Sequence, residues 1–381
     1  YTTSVGYNAL GANTTGDSNT AIGDSSMADN TTGTQNTACG QSCMADNTTG
    51  GSNVAMGVNA LRLNTTASNN TALGHEAIRY NTTGASNTAV GRAALNANTT
   101  ASNNTGLGHF ALFSNTTGAN NTAVGQGCMD VNTTGNNNVA VGFQALDANT
   151  TGSLLTAIGY NALGSNSTAD ENTALGSFCL SSNTTGSANA AGGAKALSSN
   201  TTGTANTAFA YDALQMNTTG DSNTAVGFRA LEENTTADNN TAVGRSALEA
   251  NTTGSENVGI GAYALDANTT GDLNVAIGSG ALGSSTASDR NVAIGKGAMG
   301  SFTQVGDNYN VAVGYAAAQN TTTSGQFVAV GGSCLASQTT ANYNTAMGYN
   351  ACAAATTGSS NTAIGRSSQY ANQTGGGNSS L

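Results

Sequence analysis

The chain repeats one 17-residue sequence about 22 times, close to Asn-Thr-Ala-Val-Gly-x-x-Ala-Leu-x-x-Asn-Thr-Thr-Gly-x-x. Copies begin at Asn19 and then every 17 residues as far as Asn291, and a 19-residue copy leads from there to Asn310. A short fixed period is typical of solenoids, because one unit cannot bury its apolar face until the next unit stacks on it. We therefore describe the chain by column, with positions 1 to 17 counted from the leading Asn.

No linker or change of composition interrupts the repeat, so the sequence predicts a single repeat domain over residues 1–381. Within it, residues 1–290 form the regular copies that carry an Asn-x-Thr or Asn-x-Ser sequon. Residues 291–381 form degenerate copies and a short tail.

Composition excludes several classes of protein. Only 8% of residues are charged and Pro is absent, which does not fit a globular core inside a charged shell. The net charge of -11 opposes binding to nucleic acid or to anionic membranes. No apolar run is long enough for a transmembrane helix, so we expect no membrane insertion.

The columns predict an all-β fold, a parallel β-solenoid of about 22 coils of 17 residues. Position 5 is Gly in 21 copies, and Gly or Ala recurs at position 15, which disfavours helices. We expect two short strands per copy, at positions 1 to 4 and 7 to 10, joined by a Gly bend and an Asn-Thr-Thr-Gly loop. At about 4.8 Å per coil the stack would be a rod on the order of 100 Å long.

Side chains alternate between the two faces of a strand, so positions 3 and 4 point in opposite directions, as do 8 and 9. We expect the large residues at positions 4 and 9, such as Val90 and Leu95, to fill the coil. The small residues at positions 3 and 8, such as Ala89 and Ala94, would then form an outward stripe. Exposed apolar stripes mark interfaces, which predicts lateral self-association, for example as a trimer. The alternative is a single-chain coil with the Ala face inside.

These columns resemble the β-roll head repeats of trimeric autotransporter adhesins and related repeats of bacterial and phage fibre proteins. The matching segments include Ala21-Ile22-Gly23 and Ala276-Ile277-Gly278, the latter followed by Ala281. The resemblance covers nearly the whole chain and implies a left-handed parallel β-roll, three chains side by side and surface adhesion. The Asn-Thr-Thr-Gly segment makes each copy longer than the family's usual unit, and we expect it to form a loop on one edge.

The strongest chemical signal is the sequon whose Asn stands at position 12, which is the acceptor pattern for N-glycosylation in a secretory context. The candidates, with two more near the carboxyl end, are Asn13, Asn30, Asn47, Asn64, Asn81, Asn98, Asn115, Asn132, Asn149, Asn166, Asn183, Asn200, Asn217, Asn234, Asn251, Asn268, Asn320 and Asn372. Covalent glycans would then form a column along the rod. The alternative is that Asn-Thr-Thr-Gly is turn chemistry and is never modified.

Nothing in the sequence indicates an enzyme, a cofactor or a metal site. The six cysteines stand in columns that are otherwise apolar, and no second Cys pair or nearby His completes a zinc site with Cys39 and Cys43. The only histidines, His75 and His109, have no recognisable catalytic partner. Both stand at position 6, a variable column that also holds seven of the 19 aromatic residues. That column is either simply free to vary or an aromatic edge that stacks on sugars or on neighbouring fibres.

The sequence thus predicts an extracellular structural fibre or filament subunit that associates with itself, laterally or end to end. An adhesin head or a phage tail-fibre shaft is the second interpretation, and both place the chain outside the cell or on a cell or virion surface. Ice binding is a remote alternative, because the Thr at positions 13 and 14 are neighbours and cannot share one strand face.

Overall fold

The computed structural model describes residues 1–381, and it contains strands and turns but no helix. Each full copy of the repeat forms one coil with a single three-residue strand at positions 2 to 4. Strands of successive coils pair in parallel, residue for residue with the same column. The predicted fold class, an all-β parallel solenoid of about 22 coils with 17-residue spacing, is confirmed.

The chain forms two compact units, Tyr1–Ala188 and Asn189–Leu381. The strands of the first unit are β1 (Thr3–Val5), β2 (Thr20–Ile22), β3 (Thr37–Cys39), β4 (Val54–Met56), β5 (Thr71–Leu73), β6 (Thr88–Val90), β7 (Thr105–Leu107), β8 (Thr122–Val124), β9 (Val139–Val141), β10 (Thr156–Ile158) and β11 (Thr173–Leu175).

The second unit contains the irregular 19-residue copy, and two extra short strands, Ser288–Asp289 just before that copy and Gly306–Asp307 within it, pair in parallel beside the main sheet. Its strands are β12 (Ala190–Gly192), β13 (Thr207–Phe209), β14 (Thr224–Val226), β15 (Thr241–Val243), β16 (Val258–Ile260), β17 (Val275–Ile277), β18 (Ser288–Asp289), β19 (Val292–Ile294), β20 (Gly306–Asp307), β21 (Val311–Val313), β22 (Val328–Val330), β23 (Thr345–Met347), β24 (Thr362–Ile364) and β25 (Ser379–Ser380).

The second strand expected at positions 7 to 10 is wrong, because these residues form turns. Positions 7 and 9 have left-handed backbone angles, as at Ser25 (φ 54°) and Met27 (φ 52°). The amide of Ser26 donates to the carbonyl of Gly23 at 3.3 Å, and the amide of Asn30 donates to that of Met27 at 3.2 Å. These i to i-3 bonds curl the chain back on itself, which a strand cannot do.

Glycine at position 5 is required by both conformation and space. Gly23 has φ 132°, a value that residues with a side chain rarely adopt. A Cβ there would lie 2.5 Å from the carbonyl oxygen of Gly40 in the next coil. Ala210 is the exception in this column, with φ 131°, and it therefore carries backbone strain.

The interior of the coil is lined by the Ala of positions 3 and 8 and the Leu or Met of position 9, so the expected placement of positions 3, 4 and 8 is wrong. Ala89, Ala94 and Leu95 are fully buried, whereas Val90 at position 4 is 38% exposed. Of the two columns that hold large apolar residues, positions 4 and 9, only position 9 lies in the core. The large residues at position 4 point outward, and the Ala stripe faces inward as in the single-chain alternative.

The narrowness of the coil explains this choice. Gly106 replaces Ala at position 3, and a Cβ placed on it would lie 3.4 Å from the Leu95 side chain and 3.2 Å from the Ala111 carbonyl oxygen. Ala therefore just fits between the Leu of one coil and the backbone of its own coil, and a larger residue would clash. Because strand residues alternate, an inward position 3 forces positions 2 and 4 outward.

Two columns of buried asparagine hold successive coils in register. At position 12, the Asn98 side-chain amide donates to Asn81 Oδ1 of the preceding coil at 2.9 Å and to the Ala101 carbonyl at 3.0 Å. At position 1, Asn104 donates to the Gly118 carbonyl, and its backbone amide donates to Asn87 Oδ1. We call each column a ladder, because each Asn side chain forms hydrogen bonds both within its own coil and with an adjacent coil.

The ladders end where another residue replaces Asn. Ser285 follows Asn268 in the position 12 column, and the Asn268 side-chain oxygen is buried without a hydrogen-bond partner. Phe302 and Phe327 replace Asn at positions 12 and 1 further on, and both side chains are fully buried. At these two positions a phenyl ring occupies the interior in place of a hydrogen-bonded Asn side chain.

Removing one amide of the ladder should therefore cost more stability than removing an exposed side chain. Asn98→Ala leaves Asn81 Oδ1 buried without a partner and removes one of the two hydrogen bonds made by the Ala101 carbonyl and by the Asn115 amide, so we expect a loss of about 2–3 kcal/mol. Thr100→Ala, two residues away on the surface, should change stability by less than about 0.5 kcal/mol. Urea unfolding followed by circular dichroism measures both, and equal effects would contradict the ladder's role.

Candidate functional site

The predicted sequon asparagines lie inside the coil rather than on an exposed loop. The fifteen from Asn30 to Asn268 are fully buried. Asn13 and Asn372, in the outermost coils, are half-buried, and only Asn320 is exposed. A sugar on the Nδ2 of Asn98 would displace the hydrogen bonds that this nitrogen donates within the ladder. Glycosylation stays a prediction, but in the folded chain the exposed Asn320 fits it better than the buried column does. The same holds for three exposed Asn at position 17, each of which begins an Asn-x-Thr sequon across the junction of two copies: Asn69, Asn103 and Asn120.

The two Thr of the Asn-Thr-Thr-Gly segment have different roles. The hydroxyl of Thr82 at position 13 donates to the Thr99 carbonyl of the next coil at 3.1 Å, and the same bond recurs along the column. Thr83 at position 14 is exposed, as is every Thr from Thr15 to Thr270 in that column. These outward hydroxyls are available to water along one edge of the coil.

The outward face of the strands is an apolar column. Position 4 side chains such as Ile22, Val90, Ile158 and Val226 are 38% to 42% exposed. The neighbouring outward position, position 2, is Thr, Val or Ala in every copy. No Lys, Arg, Asp or Glu stands at either position in any copy. We call this surface the strand face.

A second surface, the position 6–7 edge, concentrates aromatic and basic residues. Phe143 and Tyr160 of adjacent coils stack with ring centroids 5.7 Å apart and planes 6° apart, and Tyr211 and Phe228 stack similarly at 5.9 Å. The Arg245 guanidinium lies over the Phe228 ring at 5.9 Å. Of the chain's nine Lys and Arg residues, six stand in these two columns: Arg92, Lys195, Arg229, Arg245, Lys296 and Arg366. The position 6 rings thus stack on one another in two pairs of adjacent coils, and stacking on sugars or on neighbouring fibres stays a prediction.

The two histidines lie on this edge, apart from any catalytic arrangement. His75 Nδ1 is 3.9 Å from a Glu76 carboxylate oxygen, and its side chain is half exposed. His109 packs against the Phe110 ring with centroids 3.9 Å apart.

Five of the six cysteines are buried, and all six are free thiols. Cys43 and Cys128 at position 8 point their thiols at the carbonyls of Ala55 and Ala140, 3.2 and 3.3 Å away. Burial raises the pKa of each of these two thiols to about 12, so they remain protonated and unreactive near neutral pH. Cys39 is half-buried on the strand face, not in the core as its column had predicted.

Half-buried carboxylates line positions 10 and 11. Burial raises the pKa of Asp147 above its usual range, and the charge of Asp130 in the adjacent coil raises it further. The pKa values of Asp130, Glu232 and Asp266 are raised by burial too. These groups are dispersed, and no group of three or more His, Cys, Asp or Glu side chains is arranged to hold a metal ion. The structure also contains no helix that is long and apolar enough to cross a membrane.

Comparison of the chain with protein-family models and with curated proteins yields no match. The protein class is therefore defined by the fold alone, as a tandem-repeat parallel β-solenoid.

The raised carboxyl pKa values predict that mild acid stabilises the fold. Above the ordinary carboxyl pKa of about 4, the folded chain holds these protons more tightly than the unfolded chain does. Their stabilising contribution is present at low pH and is lost as pH rises through the raised values. Asp17 acts in the opposite sense, because the amino-terminal ammonium lowers its pKa, but it is exposed and contributes little.

We therefore expect the melting temperature to increase as pH falls from 7 towards the ordinary carboxyl pKa of about 4. Replacing Asp130 and Asp147 together by Asn should raise the melting temperature at pH 7 and weaken its pH dependence. Thermal melts at constant ionic strength provide the measurement, and a melting temperature that falls steadily with acid in both proteins would refute the assignment.

Proposed function

We propose that the protein is a non-catalytic structural fibre subunit, displayed outside the cell or on a cell or virion surface, that associates laterally with copies of itself. The observation that carries this proposal is the strand face, an uncharged apolar column repeated coil after coil. End-to-end association, expected from the repeat, stays a prediction.

The size of the strand face supports an interface. Within the first unit, eleven coils at about 4.8 Å each make a face about 50 Å long, and two side-chain columns make it about 10 Å wide. The apolar position 4 column makes up about half of the resulting face of about 500 Å², the largely Thr position 2 column makes up the rest, and contiguous apolar patches of a few hundred Å² are often functional.

The distribution of charged residues also supports lateral association. The chain carries a net charge of -11, which should oppose the approach of another copy. The charged residues stand at positions 6, 7, 10, 11, 16 and 17 and in the irregular copy, so two strand faces can meet without placing charges against each other. The proposed contact is therefore sheet face to sheet face through Val, Ile and Leu side chains, and not through the buried Ala stripe.

The second candidate function, an adhesin head or tail-fibre shaft, is favoured by the position 6–7 edge. Exposed rings such as Tyr160 (47%) and Phe143 (42%), with Arg92 and Arg245 in the same column, form a surface suited to ligands with both apolar and polar groups. This edge and the strand face are separate columns of the coil, so the two roles are compatible.

Self-association can be tested with two matched substitutions in the full chain. Val90 on the strand face is 38% exposed and Val131 at position 11 is 39% exposed. Because both are surface positions, Val90→Asp and Val131→Asp should leave the circular dichroism spectrum unchanged. Val90→Asp should shift the sedimentation profile towards the monomer, since it buries a charge in the contact.

Val131→Asp should sediment like the parent chain at the same concentrations. A parent chain that is monomeric throughout the micromolar range, or two variants that dissociate it equally, would overturn lateral association through the strand face.

A further inference from the structure

The irregular 19-residue copy contains a bulge that the regular coils lack. The Gln326 amide donates to the Asn308 carbonyl at 2.8 Å, just as the position 17 amide of Gln35 donates to the position 16 carbonyl of Asp17. Asn308 therefore takes the place of position 16. Residues 305–307 form the bulge, because these three residues stand where a regular coil has only position 15.

The bulge buries the side chain of Asn308. Asn308 is 1% exposed, whereas every other residue at position 16 is half-buried or exposed. Its backbone is fully paired, because its amide donates to the Asp289 carbonyl and its carbonyl accepts the Gln326 amide. Both polar atoms of its side chain, Oδ1 and Nδ2, are buried without a hydrogen-bond partner. Because an unpaired buried amide costs stability, these two atoms indicate that a partner is missing.

An Asn at position 16 of a regular coil shows which partners such a side chain usually has. Asn136 Oδ1 accepts the Ala119 amide of the preceding coil at 2.8 Å, and Asn136 Nδ2 donates to the Thr134 carbonyl at 2.8 Å. In the bulge, the backbone of the preceding coil pairs instead with Gly306–Asp307. The side chain of Asn308 therefore makes neither of the bonds that Asn136 makes.

Asn308 lines a cavity of about 190 Å³ together with Gln304 and Tyr343. Gln304 Oε1 is also buried without a hydrogen-bond partner. A Cβ on Gly325 would lie 3.7 Å from the Asn308 carbonyl oxygen and 3.8 Å from Gln304 Nε2, so Asn308 and Gln304 border the same space. A cavity of about 150 Å³ can hold benzene, so this one has room for a group of about six non-hydrogen atoms.

The unpaired atoms define the chemistry of the missing partner. They comprise one donor, Asn308 Nδ2, and two acceptors, Asn308 Oδ1 and Gln304 Oε1. A carboxylate supplies only acceptors, and an ammonium or guanidinium group supplies only donors. A primary carboxamide supplies one carbonyl oxygen and two N–H donors, which matches all three atoms. The Asp307 carboxylate in the cavity wall is paired with Arg290, which also favours a neutral group.

We propose that this cavity binds the primary carboxamide of a glutamine or asparagine side chain, from a free amino acid or from a peptide. The carboxamide oxygen accepts from Asn308 Nδ2, and the two N–H groups donate to Asn308 Oδ1 and Gln304 Oε1. The methylene groups lie against the Tyr343 ring, which is 61% exposed. This site goes beyond the structural role proposed above and does not depend on lateral association.

The test titrates the full chain with two glutamine compounds and follows binding by saturation-transfer NMR. N-acetyl-L-glutamine methylamide presents the side chain as a peptide does, and free L-glutamine presents it as an amino acid, so the tighter of the two identifies the source. The matched acid is N-acetyl-L-glutamate methylamide, which near neutral pH has no side-chain N–H or O–H to donate. At least one glutamine compound should bind saturably and about tenfold more tightly than this acid.

Two variants of the cavity and one matched control complete the test. Asn308→Leu removes both unpaired atoms at similar size, so it should weaken binding about tenfold or more without lowering the melting temperature of the free protein. Gly325→Leu fills the cavity and should weaken binding to the same extent while Asn308 stays in place. Asn136→Leu makes the same change at position 16 of a regular coil. It should keep the affinity but lower the melting temperature, because two hydrogen bonds are lost.

Failure of both glutamine compounds to bind, or unchanged binding by the Asn308→Leu variant, would overturn the proposal. Equal binding of the glutamate compound, or of glycerol, would contradict the assignment to a carboxamide. A melting temperature that falls as much for Asn308→Leu as for Asn136→Leu would make Asn308 a structural residue instead. Each of these outcomes is independent of the sedimentation behaviour.

Discussion

The hydrogen-bonded ladder of buried asparagine side chains is the interaction on which the rest of the structure depends. Each Asn at position 12 donates to the matching Asn one coil earlier and to the carbonyl at position 15 of its own coil, as Asn115 does with Asn98 and Gly118. A shift of register by one residue would break the Asn-to-Asn hydrogen bond between every pair of adjacent coils and leave the buried Oδ1 atoms without a donor. The ladder therefore fixes the 17-residue spacing, which in turn aligns the strands, the inward Ala column and the outward surfaces.

The repeat period was enough to predict stacked parallel coils, but not which face of the strand is inside. Alternation along a strand allows either position 3 or position 4 to face inward, and larger residues are usually the buried ones. The deciding factor is the space beside Leu95, which accepts only Ala or Gly, and that distance is not visible in the sequence. The left-handed turns at residues such as Ser25 and Met27 were missed for a similar reason, because neither residue type signals a positive φ. The sequons could be identified from the sequence, but the burial of their Asn side chains could not.

Because the Ala columns lie inside the coil and the position 4 column lies outside, the surface of the protein differs from the one that the sequence predicted. A core of Ala and Leu leaves the larger Val and Ile side chains outside, so the strand face becomes an apolar surface without charge. Position 6, which varies most in sequence, is a column in which some rings and guanidinium groups of adjacent coils stack on one another. A constant interior with variable outward columns is compatible with the proposed self-association, because outward residues can change without altering the core.

The central claim is that position 3 is inside the coil and position 4 is outside, and one pair of substitutions tests it directly. Ala225 is fully buried and its neighbour Val226 is 38% exposed. The free energy of unfolding, measured in urea under conditions where the chain is monomeric, should fall by several kcal/mol for Ala225→Asp, because the carboxylate would be buried without a partner. Val226→Asp should lower it by about 1 kcal/mol or less. The reverse order, with Val226→Asp the more damaging, would contradict the account.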